Sequence, residues 1–160
     1  MSSPSVAFQF HALPAEPFAP LFAKPDVELQ TLRVRRVVAD GRPVYPCRVS
    51  LQDASEGERL LLLPFEHHPV ETPYRASGPV YVRESALQAR PGRGEVPELL
   101  RRRLLSLRAY DVAGMMRGAE VVQGTEIEAA IERLFGIANA AYIHVHYALP
   151  GCYGCRVERA

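Results

Sequence analysis

Leu60-Leu61-Leu62-Leu63-Pro64, followed at once by Phe65-Glu66-His67-His68-Pro69-Val70-Glu71-Thr72-Pro73-Tyr74-Arg75, is the stretch on which the fold turns. An apolar run this short, closed by proline, fits a central strand buried on both faces better than a helix. The segment after it crowds two imidazoles, three carboxylate or hydroxyl side chains, a phenol and a guanidinium between Pro69, Pro73 and the returning strand Pro79–Arg83. It is polar enough to form a site and stiff enough to hold one.

On the N-terminal side, Val6, Phe8 and Phe10 alternate with Ala7 and Gln9 as a half-buried strand. Pro14, Pro17, Pro20 and Pro25 allow only a helical turn or two around Phe18–Phe22. Asp26 is placed to cap a short helix to Leu32, and Val34–Ala39 and Cys47–Leu51 read as strands.

On the C-terminal side, Pro97 stands at a helix start, with Val96, Leu99, Leu100 and Leu104 on one face and Arg101 and Arg102 outward. Leu105–Tyr110 and Met115–Val122 pair around Asp111–Gly114. Thr125–Phe135 is the clearest helix: Thr125 and Glu128 have capping-box spacing, Ile127, Ala130, Ile131, Leu134 and Phe135 form the stripe, and Gly136 ends it. Ala141–Tyr147 and Cys152–Val157 are strands joined through Pro150-Gly151. The expected architecture is α+β: a single domain over residues 1–160, mostly antiparallel, of roughly seven to nine short strands with two or three helices.

Composition narrows the function classes. A net charge of +1 argues against nucleic acid or an anionic membrane as partner, although Arg101-Arg102-Arg103 forms a local basic run. The only lysine, Lys24, sits in an Ala-Lys-Pro context that suits neither a P-loop nor a Schiff base. Gly92-x-Gly94 leads to Pro97 where a dinucleotide fingerprint needs glycine, and neither G-x-S-x-G nor H-E-x-x-H occurs. Three cysteines, no long apolar run and no signal-like N-terminus predict a reduced cytoplasmic protein.

Three constellations could carry chemistry. In the opening stretch, Arg75 with Tyr74 suits a carboxylate or phosphate, and Glu66 and His67 suit proton transfer; a rigid turn with Glu66 paired to Arg75 is the structural alternative. In His144-Val145-His146, both imidazoles share a strand face with Tyr142, so they could bind a metal if Glu66, His67 or a cysteine supplied a third ligand. In Cys152-Tyr153-Gly154-Cys155, residues i and i+3 face opposite sides of a regular strand. At most one cysteine then joins the histidines, unless Gly154 forms a bulge.

Pro46-Cys47-Arg48-Val49-Ser50-Leu51, Glu66-His67, Thr72-Pro73-Tyr74-Arg75-Ala76-Ser77, Leu104-Leu105-Ser106-Leu107-Arg108-Ala109-Tyr110-Asp111, His144-Val145-His146 and Pro150-Gly151-Cys152-Tyr153 together resemble a bacterial family known as domain of unknown function 1203. The resemblance implies a fold and a bacterial setting but no reaction. His68 and Cys155 look like departures from the family pattern, which weakens any shared cysteine-pair chemistry. Carried over residue by residue, it marks Arg48, Glu66, His67, Tyr74, Arg75, His144, His146 and Cys152.

The first expectation is therefore a pocket between the 66–75 loop and the 144–152 hairpin that binds a small anionic metabolite. There Arg48, Tyr74, Arg75 and His144 would bind, and His67, His146, Cys152 and Glu66 would perform acid–base or nucleophilic chemistry. No cofactor is required by this reading. The alternatives are an interaction module docking through the arginine-rich helix, and a metal-dependent enzyme with zinc or another transition metal on His144 and His146. Oligomeric state is left open by the sequence.

Overall fold

The computed structural model describes residues 5–160. Two antiparallel sheets and three short α-helices make an α+β fold. The larger sheet contains β1 (Phe8–His11), β5 (Leu104–Tyr110), β6 (Met116–Gln123), β7 (Tyr142–Tyr147) and β8 (Tyr153–Arg159), in the order β1-β8-β7-β5-β6. The smaller contains β2 (Arg35–Val38), β3 (Arg59–His68) and β4 (Ala76–Arg83), with β3 central. The helices are α1 (Asp26–Thr31), α2 (Glu98–Arg101) and α3 (Ile127–Phe135). No helix among the described residues is long and apolar enough to cross a membrane.

Each sheet is dictated by alternation. On one face of the large sheet, Leu105, Leu107 and Ala109 of β5 lie beside Ile143, Val145 and Tyr147 of β7 and Cys155 and Val157 of β8. The stripe Ile127, Ala130, Ile131, Leu134 and Phe135 of α3 packs on this face, completing the main core. Each fully buried aliphatic side chain there contributes roughly 1.5–3 kcal/mol. The opposite face carries Ser106, Arg108 and Tyr110, then Tyr142, His144 and His146 across the ladder. All six residues of β7 are nevertheless buried, so this polar face is covered as well.

Part of the cover is the far end of β3. Leu61 and Leu63 anchor the strand in a second core with Phe18, Leu29, Val34, Cys47, Val49, Val80 and Val82. Beyond Pro64 the strand continues to His68, farther than its apolar run suggests, so the connecting loop is only 69–75. The pairing shifts between Phe65 and His68. In regular strand geometry consecutive side chains point to opposite faces. The extra residue of the bulge breaks that rule, and the rings of both His67 and His68 meet the large sheet at His144.

Four local expectations are corrected. Cys47–Leu51 is a turn rather than a strand, with Leu51 N–H donating to the Cys47 carbonyl and Leu51 at φ 52°. The helix after Pro97 stops at Arg101, and Leu104 opens β5 instead of extending the helical face. Thr125 makes no capping bond, because a 3-10 turn, Gly124–Glu126, leads into α3 at Ile127. Pro25 is the N-cap of α1, and Asp26 is the first helical residue.

Candidate metal centre

His144 and His146 are held by β7 on the polar face of the large sheet, and His67 arrives from the end of β3. One potential ligand nitrogen from each lies within 4.8 Å of the other two. Nδ1 of His67, Nδ1 of His144 and Nε2 of His146 are buried and have no hydrogen-bond partner. Buried polar atoms are paired in the great majority of cases, and each exception asks for a missing partner. Here each ring of the trio carries one such atom.

The surroundings fix these rings. His146 Nδ1 lies 3.0 Å from the Gly151 carbonyl. A carbonyl only accepts, so Nδ1 carries the proton and Nε2 presents its lone pair, the usual way a backbone group orients a metal-binding histidine. Tyr153 stacks on His67 at 5.1 Å with planes 7° apart, and packs edge-on against His144. His68 has a different role: Nδ1 donates to the Tyr74 carbonyl at 2.8 Å, and Nε2 accepts from the Tyr142 hydroxyl at 2.7 Å. Both its nitrogens are used, so it braces the cluster.

Burial holds all three imidazoles neutral. It brings His144 down to about 2, helped by repulsion from His68, His146 and Arg156. His67 is brought to about 4 by burial, then by His68 and Arg108. His146 is also brought to about 4 by burial and Arg108, against an opposing contribution from the Gly151 carbonyl. Neutral imidazole is the ligand form.

The same shifts set a pH dependence. An unfolded chain protonates these histidines near 6.5 whereas the folded chain resists, so stability is lost as pH falls from 6.5 toward 4. The slope is at most about 1.4 kcal/mol per pH unit for each histidine, and less for half-buried His67. Urea midpoints on metal-free protein should change little from pH 7.5 to about 6.5 and fall steadily from there to pH 5; a flat profile throughout would contradict neutral burial.

The other sequence candidates are dispersed. Arg75 is bound to Glu66 at 3.2 Å and Glu71 at 2.8 Å, a half-exposed ion triad. Tyr74 contributes its carbonyl to His68, while its side chain is 37% exposed. Arg48 is buried, and its Nη2 donates to Cys152 Sγ at 3.0 Å. Cys155 does not join the histidines. A register shift between Val145 and His146 sets His146 opposite Tyr153 and Val145 opposite Cys155, which turns Cys155 into the core. Burial there pushes its thiol up to about 12.

Three residues beside the cluster were not singled out from sequence: Tyr153, Arg156 and Arg108. Arg108 stands directly across from His144 in the β5–β7 ladder and, among the described residues, forms no ion pair. The alternation Ser106, Arg108, Tyr110 held the signal, but it needed the pairing of β5 with β7 to become readable.

The fold and site define an α+β protein with a three-histidine cluster, in which half-buried His67 of the smaller sheet meets buried His144 and His146 on the polar face of the larger one. The chain belongs to the family described as protein of unknown function (DUF1203), whose model matches residues 44–159. All three histidines lie inside the matched segment. No curated protein and no solved structure gives a match to it.

Proposed function

We propose that this is a metal-dependent protein in which His67, His144 and His146 bind one divalent transition metal, zinc foremost, and act on a small anionic molecule. The observation that carries this reading is the convergence of three imidazoles, one ligand nitrogen of each within 4.8 Å of the others, each ring also carrying a buried nitrogen without a hydrogen-bond partner. A tetrahedral zinc with three imidazoles needs nitrogens roughly 3.3 Å apart, so the rings would close by at most about 1.5 Å on the ion. Three protein ligands leave one position for water or substrate, and zinc lowers the pKa of such a water to about 7. Arg108, across from His144 and free of a carboxylate, would orient the anion by bidentate hydrogen bonding.

A metal-free acid–base site would use the same histidines, with His67 or His146 moving the proton. It has weaker support, because its Arg75 clamp is already held by two carboxylates. An interaction module on the arginine run is also less favoured: Arg101 is bound to Glu128, and Arg103 to Asp53 at 2.5 Å. Elemental analysis of untagged protein grown with metal supplements is the test. About one zinc or comparable metal per chain, lost in His144→Ala, is expected; substoichiometric metal in the wild type would overturn the reading.

A further inference from the structure

Next to the β7–β8 turn lies a cavity of about 550 Å³, within the size range of small-molecule sites. Val44, Pro46, Leu104 and Leu149 make its walls mostly apolar, and Arg48, Tyr147 and Cys152 also line it. Arg48 is only 1% exposed, and none of its hydrogen-bond partners is a carboxylate. Nε donates to the Tyr153 carbonyl at 2.7 Å, Nη1 to the Pro46 carbonyl at 2.6 Å, and Nη2 to Cys152 Sγ at 3.0 Å. Its guanidinium also lies 5.0 Å from the centre of the Tyr147 ring.

A buried charge without an opposite charge costs several kcal/mol, so such groups are normally paired. A guanidinium has five N–H groups; the three bonds above leave one on each terminal nitrogen. Tyr147 adds a second observation. It is 3% exposed, its hydroxyl is buried without a partner, and it lines the same cavity. The nearby Arg103 is already neutralised by Asp53.

We propose that this cavity is a ligand site, separate from the histidine cluster, for a monocarboxylate with an apolar body. The carboxylate accepts the two remaining Arg48 N–H bonds and compensates the buried charge. The Tyr147 hydroxyl donates to it, and the apolar part fills the space toward Leu149. A single charged head fits, because Arg102 and Arg103, which also line the cavity, both already face the Asp53 carboxylate. The metal proposal could fail without affecting this one.

Isothermal titration with octanoate and 2-naphthoate, each paired with its neutral analogue octanol or 2-naphthol, tests the site. One equivalent of at least one acid should bind, at least tenfold more tightly than its neutral analogue. Arg48→Gln should weaken it tenfold or more. Leu149→Asp, at an 89% exposed rim position, should weaken it several-fold with the core untouched. His144→Ala should leave the affinity unchanged. If Arg48→Gln fails to fold, the comparison of charged with neutral ligands and the Leu149→Asp result decide. Absence of binding by both acids, equal binding of the neutral analogues, or wild-type affinity in both cavity variants would overturn the proposal.

Discussion

Saturating zinc is expected to raise the midpoint of thermal unfolding by roughly 10 °C, and His144→Ala to remove nearly all of that rise. A ligand that binds only the folded state at a thousand times its dissociation constant adds about 4 kcal/mol, and in a chain of this size each kcal/mol moves the midpoint by about 2–4 °C. His144 is the variant of choice because it is 2% exposed and its Nδ1 has no other partner. Truncation to alanine leaves a cavity, yet it also removes a buried unpaired nitrogen, so the two effects oppose each other. The metal-free variant should therefore lose only about 1–2 kcal/mol, far less than the zinc effect. Differential scanning fluorimetry with and without zinc, after chelator treatment, reads both numbers. An equal zinc-induced rise in wild type and His144→Ala would place the metal elsewhere.

The largest loss of stability from a one-carbon change should come at Gly124. It sits where β6 meets the 3-10 turn before α3, and its N–H donates to the Arg103 carbonyl at 2.8 Å. A Cβ there would lie 1.7 Å from the Leu100 carbonyl oxygen and 2.9 Å from the Arg101 Cα. These are backbone atoms of α2, which cannot rotate aside as a flexible side chain can. Gly124→Ala must separate α2 from the turn, at a cost of roughly 4 kcal/mol or more. Gly78→Ala is the control: nothing lies within 4 Å of its Cβ position. Chemical denaturation should show Gly124→Ala severely destabilised or insoluble and Gly78→Ala close to wild type. Near-wild-type stability of Gly124→Ala would mean that α2 is not docked so closely.

Local patterns were the legible part of this sequence. Leu60–Leu63 announced the centre of β3, Ile127–Phe135 announced α3, and the alternation of Tyr142, His144 and His146 announced a strand with both imidazoles on one face. Each is a short-range periodicity that a packed environment reinforces. What escaped was set by pairing at long range. The sequence offered Glu66, His67 or a cysteine beside His144 and His146, and what selects His67 is that β3 outruns its apolar segment and bulges, which Leu60–Pro64 does not foreshadow. Arg108 becomes a neighbour of His144 only through the β5–β7 ladder. The irregular β7–β8 register decides that Tyr153, rather than Cys155, faces the histidines, and Gly154 explains its close fit. A Cβ on Gly154 would lie 3.1 Å from both the Tyr147 ring and the Val145 carbonyl. Cys47–Leu51 has strand-like composition, but its backbone folds into a turn whose Cys47 thiol accepts from Ser50 and Arg83 N–H. A composition-based reading cannot see such a contact.

X-ray absorption at the zinc edge of protein loaded with one equivalent of zinc tests the central claim most directly. The account predicts about three imidazole nitrogens at roughly 2.0 Å with their ring multiple scattering, one further light-atom ligand and no sulfur. His144→Ala should lose this signature. A sulfur shell near 2.3 Å, or scattering from oxygen ligands alone, would contradict it.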